Sequence, residues 1–295
     1  MPSPQRQSQV ERQITRFRLG EPVDTLDHVA AEEPMEIRLI WEEDGQPQSK
    51  SIAITMRTPG DDFALAAGLL FGESVIRHPH DIVDIAYCAD ADRDQEFNTV
   101  SVTLRPGVVF ETARLERNFY TTSSCGVCGK ATLDALDLQG CRAVTSGFAL
   151  QEDILRSLPA RLRQSQMVFE STGGLHAAGL FTAEGSLLGV KEDVGRHNAV
   201  DKLIGAQLIA GKARLDDTIL MLSGRASFEL LQKALVAGIP VVAAVGAPSS
   251  LAVQLAETYN ITLAGFVRET GFNVYTGRER ILAGRGVLSR AEITV

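Results

Sequence analysis

Between residues 218 and 266 the chain repeats one pattern: a short apolar run, a glycine-bearing turn, then a stretch with helical spacing of apolar side chains. Residues 218–222, 240–245 and 262–266 read as short buried strands, and 227–237 and 250–259 as helices. Strands alternating with helices predict a three-layer α/β unit with a largely parallel sheet. Upstream, 175–181 and 186–191 read as a hairpin about Glu184-Gly185. Residues 198–209 read as a helix, and 150–167 as an amphipathic helix interrupted by Pro159.

The first third follows a different rule. Met35-Glu36-Ile37-Arg38-Leu39-Ile40-Trp41 alternates apolar and polar residues, as a half-buried strand does. Asp44-Gly45 is a turn signal, and 51–56 reads as the returning strand. Pro59-Gly60-Asp61-Asp62 caps a helix through Phe71, and 81–88 and 98–104 read as two further strands. The expected organisation is a flexible tail over 1–20, an α+β unit of β-β-α-β-β order over 21–116, a mobile loop and linker over 117–140, and the α/β unit over 141–295.

The chain has 295 residues, 44% hydrophobic and 22% charged, which is globular composition. It holds no apolar run of the roughly 18 residues that a membrane span needs. The polar start, Met1 to Glu11, has no signal-peptide core, so a cytoplasmic protein with reduced thiols is expected. The net charge of −8 argues against nucleic acid as a partner. That charge is uneven: residues 1–115 carry 11 basic and 20 acidic side chains, residues 116–295 carry 18 and 17.

Residues 117–130 break every periodic pattern and contain Cys125-Gly126-Val127-Cys128. Two thiols at this spacing can meet on one turn and lower each other's pKa, and Lys130 and Arg117 nearby favour thiolate. Three chemistries use the spacing. Structural zinc needs two more ligands, and no second pair of this kind is present. A thioredoxin-like dithiol needs a hydrophobic strand before it, which 118–124 is not. A sulfur relay needs only a nucleophilic thiolate on a mobile loop. Cys88 and Cys141 sit in apolar surroundings and read as small core residues.

Three strand-to-helix turns in the α/β unit are built for anions. Gly195-Arg196-His197 leads into a helix carrying Lys202, and Ser223-Gly224-Arg225 repeats strand, glycine, arginine, helix. Gly246-Ala247-Pro248 does so without an arginine, and Arg268 follows the last strand. Ligands of open α/β sheets collect at such strand ends, so a nucleotide pyrophosphate is the expected ligand class. No phosphate-loop signature of nucleotide hydrolases is present. Zinc deaminases pair His-x-Glu with a downstream Cys pair. Here His176 is followed by Ala178 at the Glu position, and the Cys pair lies upstream, which disfavours deamination. His176 itself reads equally as a structural histidine or a ligand contact.

Together, Ser124 to Gly129, Thr172-Gly173-Gly174-Leu175-His176, Glu192-Asp193-Val194-Gly195-Arg196-His197-Asn198, Leu222 to Arg225 and Asn273-Val274-Tyr275 resemble the formate dehydrogenase accessory sulfurtransferases, the FdhD family. The resemblance implies a cytidine-deaminase-like α/β domain and a homodimer. It implies a sulfur carrier that takes sulfur from a cysteine desulfurase and passes it to bis-molybdopterin guanine dinucleotide before the cofactor enters formate dehydrogenase. Cys125 would then carry the persulfide and Cys128 assist. Phe266, Val267, Arg268, Glu269, Thr270 and Gly271 would contact the cofactor. A cofactor-binding chaperone without sulfur chemistry and a zinc-dependent nucleobase hydrolase are the competing expectations.

Overall fold

The computed structural model describes residues 7–88, 97–110, 141–145 and 147–283. The chain opens with a two-stranded antiparallel ribbon, β1 (Gln9–Arg18) and β2 (Glu21–Ala30). Residues 9–18 are therefore a strand, where a loose tail over 1–20 was expected. The ribbon is largely exposed on both faces, so its sequence carries little apolar alternation to reveal it.

β3 (Glu33–Glu43) buries Met35, Ile37 and Leu39, and turns at Asp44-Gly45 into β4 (Gln46–Arg57). Both turn residues have positive φ, 52° and 73°, as a tight hairpin following the strand twist requires. Helix α1 (Asp62–Gly72) follows, then β5 (Ile82–Tyr87) and β6 (Thr99–Leu104). The four strands form a sheet of order β4-β3-β6-β5, in which only β3 and β6 run parallel. From β3 to β6 the order is the expected β-β-α-β-β, while β2, within the 21–116 span expected for that unit, pairs with β1 instead.

The second part begins with β7 (Leu150–Gln151) and α2 (Glu152–Gln164). α2 runs through Pro159 without interruption, because Leu155, Leu158 and Leu162 are buried along one face and hold it. It stops at Gln164, and Met167–Thr172 is a separate short helix, α3. Next come β8 (His176–Phe181), β9 (Leu187–Asp193), α4 (Arg196–Ile209), β10 (Ile219–Leu222) and α5 (Phe228–Val236). The chain continues with β11 (Val241–Ala244), α6 (Ser250–Thr258), β12 (Thr262–Arg268) and β13 (Gly271–Thr276). A last short strand, β14 (Ile281–Leu282), pairs with β7.

Six strands form one sheet of order β13-β12-β11-β10-β8-β9. β10, β11 and β12 are parallel; the other pairings are antiparallel. Alternate residues face opposite layers. Ala178, Leu180, Leu220, Leu222, Val242 and Ala244 join the core under α4, α5 and α6. Ala177, Phe181, Ile219, Met221, Val241 and Ala243 join a second cluster under α2. The unit thus has three layers, as the alternation predicted. β13 was missed because its exposed Asn273 and Tyr275 make it an edge strand of mixed polarity.

The two parts share one core. Residues of β3, β6 and α1 belong to the same buried cluster as those of α4, α5 and α6. α1 and α4 cross in backbone contact: a Cβ on Gly68 would lie 1.9 Å from the Asp201 carbonyl oxygen, and one on Gly205 1.9 Å from that of Ala64.

Candidate functional site

The segment Glu192 to Asn198 joins β9 to α4, and its side chains do three separate things. Asp193 is fully buried; its carboxylate accepts from the backbone N–H of Thr58 at 3.1 Å and of Gly195 at 2.8 Å. Asn198 bridges Asp193 Oδ1 at 3.0 Å and the Met56 carbonyl at 2.8 Å. These bonds fasten the start of α4 to the end of β4. Glu192 points to the other face of the sheet and accepts from the amides of Val168 and Phe169. Arg196 and His197 remain, presented at the first turn of α4, which no side chain caps.

Lys202 belongs to the buried set. Its ammonium lies 2.7 Å from Asp193 Oδ2 and donates to the Thr58 carbonyl at 2.7 Å, with its side chain 2% exposed. The cation expected at a ligand thus has its ammonium engaged by Asp193 and Thr58. The adjacent Asp201 is buried too, 2.6 Å from Lys233 Nζ of α5. An isolated buried charge is costly, and Lys202 and Lys233 are each paired with an internal carboxylate.

The turns after β10 and β11 are tied to each other and to Phe266 of β12 at the carboxyl edge of the sheet. Gly246 N–H donates to the Gly224 carbonyl at 2.8 Å, and Phe266 N–H to the Gly246 carbonyl at 3.1 Å. Gly246 is required here, since a Cβ would lie 2.9 Å from the Gly224 carbonyl oxygen and 3.0 Å from Arg225 Cγ. Ser223 is fixed by accepting from Ala177 N–H at 2.8 Å. His197 Nε2 lies 3.3 Å from Ser227 Oγ and 3.8 Å from Glu229, which joins the α4 turn to the α5 turn. Gly195, Arg196, His197, Ser223, Gly224, Arg225 and Phe266 thus share one continuous rim.

Two arginines on that rim, Arg196 and Arg225, have no hydrogen bond or ion pair among the described residues, and Arg196 Nε is buried without a partner. Their charge is felt locally. Burial, then Arg196 and Lys233, hold the His197 imidazole down to about 4. Burial and Arg196 also lower His176. Both rings are neutral near pH 7, and the rim's positive charge comes from the guanidinium groups.

The stretch from Phe266 to Gly271 divides. Phe266 has φ +54° and is 45% exposed, a bulky residue in a left-handed conformation at the rim. Val267 is fully buried in the core under α2 and presents no side chain to a ligand. Arg268 is turned back, donating to the carbonyls of Val245 at 2.7 Å and Val267 at 2.8 Å. Glu269 and Thr270 are the exposed two-residue turn between β12 and β13.

A cavity of about 570 Å³ opens beside this rim. Arg163, Phe169, Gly174, His176, Ser223 and Val245 are among its lining residues. The Arg163 guanidinium sits 4.0 Å above the Phe169 ring. Sequence reasoning had marked Gly174, His176 and Ser223 but not Arg163 or Phe169, which α2 and α3 bring in by packing. Ala178 is buried in the core, with no carboxylate in its place. Among the described residues no group of three or more His, Cys, Asp or Glu side chains is placed to hold a metal. Cys125 and Cys128 lie outside the described residues, as does all of 117–140. Cys88 and Cys141, expected in the core, are half-buried; Cys88 Sγ accepts from Arg38 Nη1 at 3.7 Å, and Cys141 packs at the edge of the core.

Residues 30–282 match the FdhD/NarQ family model. A sulfur carrier protein FdhD of Streptomyces avermitilis is 54% identical over 274 residues, covering 92% of this chain and 94% of its own length. One of Mycobacterium tuberculosis is 46% identical over 277 residues, covering 92% and 97%. A crystal structure described as a formate dehydrogenase accessory protein, from Desulfotalea psychrophila, superposes with a TM-score of 0.71 at 26% identity, covering 94% of this chain and all of that one. The rim of glycine turns, the two arginines without a hydrogen bond or ion pair among the described residues, and the Cys-x-x-Cys pair are therefore found in a chain that belongs to the FdhD/NarQ family.

Proposed function

We propose that this protein is a sulfur carrier for formate dehydrogenase maturation. Cys125 takes sulfur from a cysteine desulfurase and delivers it to bis-molybdopterin guanine dinucleotide, which is cargo here. The observation that carries the reading is the Cys125–Cys128 pair in a chain whose curated relatives are named sulfur carriers. The rim supports the cofactor half of it. Arg196 and Arg225 carry guanidinium donors, suited to phosphate oxygens, that nothing among the described residues engages. We read the α/β unit as deaminase-like, supported by its mixed six-stranded sheet with helices on both faces. We further read the protein as a cytoplasmic homodimer, on the family resemblance; among the described residues no helix is long and apolar enough to cross a membrane.

The chemistry is two sulfur displacements. The Cys125 thiolate attacks the outer sulfur of the donor persulfide. The donor's S–S bond breaks, its thiolate leaves, and Cys125 holds a persulfide. Cys128 then attacks Cys125 Sγ, forming a disulfide and expelling hydrosulfide toward the bound cofactor, and an external thiol reductant restores both thiols. Gly126 and Gly129, each directly after one of the cysteines, add no side chain beside the thiols.

The test is mass spectrometry after incubation with desulfurase and cysteine. One added sulfur should map to Cys125, and Cys125→Ala should abolish it together with formate dehydrogenase maturation while cofactor binding remains. Full maturation by Cys125→Ala would instead make the protein a chaperone without sulfur chemistry. Stoichiometric zinc with no sulfur uptake would point to the hydrolase.

A further inference from the structure

We infer that Glu192 is a positioning residue for the cofactor cavity, acting through helix α3; the inference rests on the nucleotide reading above. The register of β8 and β9 pairs Ala177 with Glu192, which places Glu192 on the α2 face of the sheet, opposite to Asp193. There its carboxylate spans the start of α3: Oε2 accepts from Val168 N–H at 3.0 Å and Oε1 from Phe169 N–H at 2.8 Å. α3 has six residues and no side-chain cap of its own at Gln166, so it lacks the length to persist alone.

Two of the cavity's walls hang from that helix. Phe169, whose amide Glu192 holds, presents its ring to the cavity with Arg163 stacked over it at 4.0 Å. The helix ends in Gly173, with φ +67°, and the chain continues through Gly174 and Leu175 to His176, all lining the same cavity. Among the described residues, the hydrogen bonds that tie α3 to chain outside 166–174 are those of Glu192 and of Ser171 Oγ donating to Gln9 on the exposed ribbon, beside the Arg163 stack on Phe169. Glu192 thus ties α3, whose Phe169 and following Gly173-Gly174 turn line the cavity, to the strand end from which Arg196 and His197 follow. Without the carboxylate, Phe169 and the Gly173-Gly174 turn lose their fixed distance from the rim. A pocket that must be ordered by its ligand binds more weakly than one already formed.

The experiment compares Glu192→Ala, Glu192→Gln and wild type for guanosine 5′-diphosphate, the nucleotide end of the cofactor, by titration calorimetry. Glu192→Ala should weaken binding at least tenfold. Glu192→Gln, which keeps one acceptor oxygen, should fall between. Tyr87→Phe, which removes a hydrogen bond to Asp62 in the first unit, controls for loss of stability and should bind as wild type does. Wild-type affinity in Glu192→Ala overturns the inference; if that variant does not fold, wild-type affinity in Glu192→Gln overturns it. Should wild type itself not bind the diphosphate, the nucleotide reading fails. The clamp is then judged by amide hydrogen exchange over 167–176, which the substitution should speed at least tenfold and which, if unchanged, overturns it.

Discussion

Lys202 and Arg196 stand on the same helix, both basic and both adjacent to the same motif, yet their surroundings assign them opposite work. Lys202 neutralises the buried Asp193 at 2.7 Å. Lys202→Ala leaves that carboxylate buried and unpaired, and should cost about 3–5 kcal/mol of stability. Arg196 has no such partner among the described residues, so Arg196→Ala should change stability by less than about 0.5 kcal/mol. It should still weaken guanosine diphosphate binding roughly tenfold, the value of one charge-assisted hydrogen bond. Urea unfolding and calorimetric titration of both variants check this, and a stability loss in Arg196→Ala equal to that in Lys202→Ala would merge the two roles. His197 offers a pH test at the same turn. Burial, then Arg196 and Lys233, hold it down to about 4 in the fold, against 6.5 when free. Between those values the unfolded chain takes up a proton that the folded chain refuses, so stability falls as pH drops from 6.5 toward 4. His197→Asn removes that linkage. Its melting temperature relative to wild type should rise between pH 7.5 and pH 4, and a difference independent of pH would refute the assignment.

Helix crossings and short helices decide how the rim is held. At the α1–α4 contact, Gly68→Ala would drive a methyl group to 1.9 Å from the Asp201 carbonyl oxygen. The helices must separate, at about 3 kcal/mol, or a melting temperature lowered by roughly 5–10 °C. Gly147→Ala, where a Cβ meets nothing within 4 Å, should stay within about 0.5 kcal/mol and serves as the control in the same melting series. The sequence patterns were readable where burial is one-sided and repetitive. β10 and β11 appear as apolar runs because every one of their residues is buried, and α5 by its apolar stripe of Phe228, Leu230, Leu231, Ala234 and Leu235. β1 and β2 were not readable, since a ribbon exposed on both faces has no reason to alternate. α3 was not readable because its existence depends on Glu192 from a different strand. The pairing of Lys202 was not readable for the same reason: residue type says that Lys202 is a cation, while Asp193 and Thr58, brought together by folding, decide which anion it meets.

At the scale of the molecule, sequence and packing draw different boundaries. Charge divides the chain near residue 115, with 20 of the 37 acidic side chains on the N-terminal side. Packing does not divide it there. Met35, Ile37, Val100 and Leu65 lie in one buried cluster with Leu203, Leu220 and Leu231, and Asp193 accepts from Thr58 N–H across the same junction. Separating the parts would expose the α1–α4 contact and leave the Asp193–Lys202 pair without Thr58, so neither part has a complete core alone. One cooperative unfolding transition follows. Trp41, the single tryptophan, sits on β3, whereas five of the six described α-helices, all but α1, belong to the other unit. Tryptophan fluorescence and far-ultraviolet circular dichroism therefore report on different units, and their urea midpoints should coincide. A fluorescence transition completed at lower urea than the helical one would mean that the first unit unfolds on its own, and that the shared cluster does not couple it to the rim.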